Sequence, residues 1–343
     1  MSSIIGFVDR VRKVRLRLTN TRPFVHLIST VSQPTEAAPL SDSKPLKFGI
    51  LGAAAIAPSA LITPAKSHPE ASFMLSPRAV QTAPPRLLRN TELKSSNKFA
   101  DLLDDPEIDA VYNPLPNGLH FEWTMKALAA GKHVLLEKPA ANTAEETRKM
   151  FELAESKGVV LLEAFHYRFH PVANRVRAII ESGELGAVKS TETHLALPER
   201  FYRANDIRYN YDLGGGALMD MGCYTISAMR FFAGAEPNLY INAEIQCEKG
   251  KIQIMNYIMP TQFHSIKVTT QDGKSRVEKA YTFPNLGEPW WSSYRYQLEA
   301  FVNKVKGRTP HAWVSKEDSI NNMEVVESSG LGSRPKSTYV PPN

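Results

Sequence analysis

Cysteine is nearly absent from this chain. Only Cys223 and Cys247 occur in 343 residues. Two cysteines cannot build a disulfide framework or a cysteine-rich zinc site, and a reducing compartment is the natural reading. No apolar run approaches the length of a membrane span, so no integral membrane protein is expected. The nine histidines lack metal-ligand spacing. His166 and His170 lie four apart, but without the glutamate of a helical zinc motif, and no metal is expected. A broad excess of one charge is missing too. The formal net charge is +6, but part of it is local. Residues 1–45 hold Arg10, Arg12, Lys13, Arg15, Arg17, Arg22 and Lys44 against Asp9, Glu36 and Asp42. The remainder is only mildly basic, which argues against nucleic acid as a partner.

That basic segment has a helical pattern. Ile4, Val8, Val11, Val14 and Leu18 share one face, with basic residues opposite. It reads either as a mitochondrial transit peptide or as a docking helix on a flexible linker, "STVSQPTEAAPLSDSKP". A cytoplasmic protein is the leading expectation and a mitochondrial one the alternative.

Order is expected from Leu46. "LKFGILGAAAIAPSALITPAKSHPE" reads as strand, small-residue turn and helix. Gly52, Ala54 and Ala57 occupy the small positions of a dinucleotide-binding turn, with Ala55 and Ile56 between them. Such a turn lets pyrophosphate approach the N–H groups of a helix N-terminus. Further on, "DAVYNPLPNGLHFEWTMKALAAGKHVLLEKP" reads as a βαβ unit: a strand over 110–112, a Pro-rich turn, a helix over 120–130 and a strand over 134–136. Both turns then lie at the carboxyl edge of a parallel sheet, where such sheets bind ligands.

"GILGAAAIA", "PLPNGLHFEWT" and "EKPAA" together resemble the Gfo/Idh/MocA oxidoreductases. Within that family the chain is most similar to NADP-dependent D-xylose 1-dehydrogenases and dimeric dihydrodiol dehydrogenases, over most of residues 46–335. The resemblance implies an α/β fold: a Rossmann domain with a doubly wound parallel sheet over 46–164, then an α+β domain with a mostly antiparallel sheet over 165–335. It implies NADP rather than NAD as cofactor, and a sugar or diol as substrate, D-xylose going to xylonolactone. It also implies a homodimer through the C-terminal sheet. Pro114, Leu115, Pro116, Asn117 and His120 become cofactor-binding candidates, as do Glu137 and Lys138 of the Glu-Lys-Pro turn. In the family that turn lies beside the nicotinamide, and its lysine contacts the reacting hydroxyl.

"LGGGALMDMGCYTISAMRFF" is the strongest feature of the second half. Gly214–Gly216 reads as a flexible turn and 217–232 as a helix. Asp220 and Tyr224, four apart, share a helical face. In similar enzymes the residue at the Tyr224 position is the acid/base. The pKa of free tyrosine, about 10, is too high for a base at neutral pH, and a nearby Lys138 ammonium is expected to lower it. Asp220 is expected to orient that group or the sugar. "LLEAFHYRFHP" is expected to place Arg168 and His170 in the substrate pocket, with His166 as a structural histidine. Ser315 is expected to cap a late helix.

Two stretches depart from the family. Residues 72–97, with Pro77, Pro84 and Pro85, show no strand pattern where the second Rossmann strand belongs. Read one frame over, codons for Leu75 to Ala79, Gln81 to Ala83 and Arg89 to Leu93 can spell residues usual for the family, so a compensated frameshift is expected. Arg78 and the lack of an acid there favour NADP. The connection at 239–244 is shorter than in related chains. The alternative to a working dehydrogenase is therefore a non-catalytic NAD(P)-binding regulator, or an inactive product of a damaged gene, on the same fold.

Overall fold

The computed structural model describes residues 44–75, 92–93, 99–195, 202, 205–232, 242–329 and 336–341. The basic segment, most of the linker, residues 76–91 and 94–97 of the atypical stretch, and residues 239–241 of the 239–244 connection lie outside the described residues.

Six parallel strands form the first sheet: β1 (Leu46–Ile50), β2 (Ala71–Leu75), β3 (Glu92–Leu93), β4 (Ala110–Asn113), β5 (His133–Leu136) and β6 (Leu161–Glu163). Their spatial order is β3-β2-β1-β4-β5-β6. The order reverses between β1 and β4, which opens a crevice at their carboxyl ends. β1 is a buried central strand, with Phe48, Ile50 and Leu51 fully enclosed. The helix Ala144–Lys157 starts where Thr143 Oγ1 accepts from Glu146 N, and stops at Gly158, whose φ of 64° is left-handed.

The second strand is a correction. Ala71–Leu75 pairs with β1 along its whole length, from Leu46 opposite Ala71 to Ile50 opposite Leu75. Ala71–Leu75 contains no proline to interrupt the ladder. Residues 72–75 therefore supply the strand that the 72–97 window was expected to lack.

Five antiparallel strands make the second sheet, in the order β11-β10-β9-β8-β7. They are β7 (Val188–Thr193), β8 (Ala243–Cys247), β9 (Gly250–Met255), β10 (Ser265–Thr270) and β11 (Ser275–Glu278). Their inward residues, Ile245, Ile252, Ile254, Ile266 and Val268, join one apolar core with Val176 and Ile179 of the helix Pro171–Glu181. Phe232 of the helix Cys223–Phe232 belongs to the same core. The helix Ser293–Val305 returns to the first sheet, where the rings of Phe301 and Phe48 lie 5.6 Å apart. The helix Lys316–Ser328 begins with a capping box formed by Ser315 and Asp318. Among the described residues no helix is long and apolar enough to cross a membrane.

Candidate active site

The crevice begins at the β1 turn. Gly52 has a φ of 77°, and a Cβ there would come within 3.1 Å of Leu115 Cδ2. Glycine is thus required by backbone and by space. A π-helical turn, Pro58–Ile62, leads into the helical residues Thr63–Lys66. Its N-cap, Ala57, carries no side-chain cap. The N–H groups of Ala54, Ala55 and Ile56 donate to no described residue. Small side chains and free N–H groups at a helix start suit a pyrophosphate, so these residues fit a dinucleotide.

The β4 turn, Pro114–Asn117, lies beside it. Asn113 Nδ2 donates to Thr124 Oγ1 at 3.0 Å, and Leu115 N donates to Asn113 Oδ1. Asn117 Nδ2 reaches across to Gly214 O at 3.0 Å, joining the two domains. His120 was expected to touch a cofactor, but its ring is buried inside the turn. Its Nδ1 and Nε2 each lie 2.8 Å from a backbone oxygen, of Pro139 and Leu115 respectively. Burial lowers its pKa to about 4. The neutral ring carries one N–H and donates to one of these two carbonyls, so His120 is wedged between the β4 and β5 turns rather than meeting a ligand.

Glu137 sits beneath the second turn. Its Oε1 accepts from the Tyr112 hydroxyl at 2.7 Å, and burial raises its pKa above the ordinary range. It supports the turn from inside the core. From the end of β6, Glu163 does the same: Ala140 N donates to its Oε1 at 2.8 Å. Sequence reasoning missed this carboxyl, although it stands within "LLEAFHYRFHP".

Lys138 leaves the turn in the opposite direction and enters the crevice. Its Nζ donates to Asp220 O at 2.5 Å and to Asp220 Oδ1 at 2.9 Å. Burial alone would lower its pKa, but Asp220, with Cys223 and Glu137, together outweigh that and raise it. The group stays an ammonium, with one N–H left over. The far oxygen of Asp220, Oδ2, lies 3.2 Å from Arg208 Nε.

Asp220 and Tyr224 do share a face, across a π-helical turn, Leu218–Gly222, that runs into Cys223–Phe232. Such turns recur at functional sites. The glycines before it are not a flexible link. A Cβ on Gly214 would lie 2.7 Å from Asn142 Oδ1 and 2.8 Å from Gly118 N. Gly215 N and Gly216 N donate to the carbonyls of Asn210 and Arg208. The turn is packed, and only glycine fits.

Lys138 Nζ lies 4.8 Å from the centroid of the Tyr224 ring, and the Tyr224 hydroxyl makes no hydrogen bond to a described residue. The expected fall in its pKa is reversed. Burial, then Tyr294 and Glu137, push the phenol well above its usual value. The ammonium sits against the ring and is paired with Asp220, so its charge does not outweigh desolvation.

Arg168 is a second correction. Its side chain is 8% exposed, and its Nη2 donates to Asp318 Oδ2 at 2.9 Å. It anchors the helix Lys316–Ser328 and is not placed to meet a sugar. His170 is also enclosed; its Nδ1 caps the helix Pro171–Glu181 by accepting from Val172 N. Two residues that were not expected complete the wall. His166 stacks on Tyr294 with ring centroids 4.0 Å apart and meets Tyr224 edge-on at 5.7 Å.

Fold and site together define a nicotinamide-dependent oxidoreductase. Residues 46–165 match the family model described as "Oxidoreductase family, NAD-binding Rossmann fold". Residues 173–255 match the "GFO/IDH/MocA C-terminal domain". The chain belongs to the GFO/IDH/MocA family. It is similar to the D-xylose 1-dehydrogenase (NADP(+)) 2 of Haloferax volcanii, at 34% identity over 322 residues, 82% of this chain and 96% of that protein. It is also similar to the trans-1,2-dihydrobenzene-1,2-diol dehydrogenase of Xenopus tropicalis, at 30% identity over 167 residues, 48% of this chain and 50% of that one. Among solved structures it resembles a 3-ketoreductase from Actinomadura kijaniata in complex with NADP and TDP-benzene. The TM-score is 0.69 at 25% identity, over 86% of this chain and 100% of the other.

Proposed function

We propose that this oxidoreductase removes hydride from a CH–OH carbon of a sugar or related diol, with D-xylose and NADP as the pair to test first. One observation carries the reading. The Lys138 ammonium is fixed by Asp220 at 2.9 Å and lies against Tyr224, over the carboxyl edge of the parallel sheet. The substrate class and NADP rest on the similarity to the Haloferax and Xenopus dehydrogenases. Arg78, outside the described residues, suits a 2′-phosphate.

When bound, the nicotinamide supplies the hydride acceptor. Gly52 and the N–H groups of Ala54, Ala55 and Ile56 would hold its pyrophosphate, with Pro114–Asn117 alongside. The spare proton of Lys138 meets the reacting oxygen, where negative charge develops. Tyr224 exchanges the proton of that oxygen, as base in oxidation and as acid in the reverse direction. Asp220 keeps Lys138 charged and aimed. A homodimer through the C-terminal sheet and a cytoplasmic location, with a mitochondrial one as the alternative, complete the reading.

The test is NADPH formation from D-xylose by the full chain and by Lys138→Met. The variant should lose at least about a hundredfold in kcat, the scale of a missing electrostatic partner, with NADP affinity unchanged. Equal turnover by the two would remove Lys138 from the chemistry.

A further inference from the structure

Arg208 holds a place in the site that proton exchange does not account for. Asp206 caps the short helical turn Ile207–Tyr209, and its Oδ1 accepts from Arg208 N at 3.0 Å and from Arg208 Nη1 at 2.9 Å. The guanidinium lies over the Tyr202 ring, 4.2 Å from its centroid. Gly216 N donates to Arg208 O and Gly215 N to Asn210 O, both at 2.8 Å. Backbone and side chain of Arg208 are thus both anchored. Its Nε lies 3.2 Å from Asp220 Oδ2. That N–H is out of line for a hydrogen bond, so the contact is one of charge.

Asp220 therefore stands between two cations. Its backbone oxygen and Oδ1 take two of the three ammonium protons of Lys138. Oδ2 accepts no proton from Lys138 and faces Arg208 instead. A carboxylate turns readily about its terminal bond, and an ammonium donates in three directions. Without a cation on the far side, Oδ2 is free to turn toward Lys138 and take the third proton. That proton is the one the reacting oxygen needs.

We propose that Arg208 is a positioning residue: it holds the far oxygen of Asp220 away from Lys138, so that the third ammonium proton stays available to the reacting hydroxyl. Arg208 acts only through Asp220 and Lys138. The inference rests on the dehydrogenase reading above for the use of that proton, and on the contacts of Asp220 for the geometry.

Two measurements test it. Turnover of D-xylose with NADP is followed in the full chain, in Arg208→Met, in Lys138→Met and in the double variant. Arg208→Met should lose at least about tenfold in kcat, with KM for NADP within about twofold of the wild type. In the Lys138→Met background the same change should cost less than about twofold, because residues that act as a unit are not additive. A merely structural role would cost the same factor in both backgrounds, and that result would overturn the proposal. The second measurement needs no turnover. Crystal structures of the wild type and of Arg208→Met, both with NADP, are compared at Asp220. In the variant Oδ2 should join Oδ1 within about 3.2 Å of Lys138 Nζ. An Asp220 carboxylate and a Lys138 left in their wild-type places would overturn the proposal equally. A wild type that turns over neither D-xylose nor another CH–OH substrate would sink the dehydrogenase reading alone, and the variant's geometry would still decide the role of Arg208.

Discussion

The two flanks of the parallel sheet are built by different means. On the β4–β5–β6 flank buried polar side chains hold the turns after β4 and β5: Asn113 accepts from Leu115 N, Glu137 accepts from the Tyr112 hydroxyl, and Glu163, at the end of β6, accepts from Ala140 N. The neutral ring of His120 is wedged between the same two turns. The turns that follow β2 and β3 lie outside the described residues; the described contacts of these strands themselves are ladder pairing and, in β2, apolar burial, and the described part of β3 is two residues. The difference shows where the geometry is fixed. Lys138 projects from the flank whose turns are over-determined by hydrogen bonds, and catalysis needs its charge placed to a fraction of an ångström.

If that contrast holds, damage to the outer flank should cost stability and leave turnover intact. Met74 of β2 is 5% exposed. Met74→Ala should destabilise the fold by about 2–5 kcal/mol, while kcat per folded molecule stays within about twofold. Denaturant titration with active-site-normalised turnover checks both. A large fall in kcat would make the outer flank part of the positioning machinery.

Glu163 sharpens the comparison from the inner flank. Burial raises its carboxyl pKa from 4.5 to about 7. An acid whose folded pKa is raised binds its proton more tightly when folded. Its contribution is therefore complete below the unfolded pKa and is lost as pH rises through 7. Glu163→Gln keeps an oxygen for Ala140 N and cannot ionise. The variant should gain about 2–3 kcal/mol over the wild type at pH 8 and nothing at pH 4. Parallel stability curves for the two proteins across that range would show that Glu163 ionises freely.

The smallest effect lies between the flanks, beside β1. Lys47 and Glu107 face each other at 3.8 Å with side chains 25% and 50% exposed. Lys47→Met should change stability by less than about 1 kcal/mol, because exposed pairs are screened. A larger loss would mean that polar side chains also set the geometry of β1.

What was legible in the sequence follows the same division. Local signals gave the βαβ unit over 110–136 closely: the strands are Ala110–Asn113 and His133–Leu136, and the helix is His120–Ala129. The cap at Ser315 was equally local. β2 was obscured because its five residues stand at the start of a Pro-rich window that was read as a whole. The pairing of Lys138 with Asp220 spans 82 residues, and that of His166 with Ser293 spans 127. No periodicity carries such contacts. Arg168 illustrates the converse: a charged residue inside a motif invites a role in binding, but only the fold reveals that Asp318 already holds it. The sign of the Tyr224 shift was missed for a related reason. Burial of the phenol and the pairing of Lys138 with Asp220 are both tertiary facts.

The central claim is that Tyr224 exchanges the substrate proton beside Lys138. A phenol with a raised pKa is protonated at neutral pH and is activated as a base only in alkali. The most direct measurement is therefore the pH dependence of D-xylose oxidation by the wild type and by Tyr224→Phe, followed as NADPH formation. The wild-type rate should climb steadily from pH 7 to pH 10, approaching tenfold per pH unit. Tyr224→Phe should be slower by at least about a hundredfold at pH 10, with no such climb and with unchanged NADP affinity. A Phe variant that keeps near-full turnover, or that climbs with pH as the wild type does, would contradict the assignment.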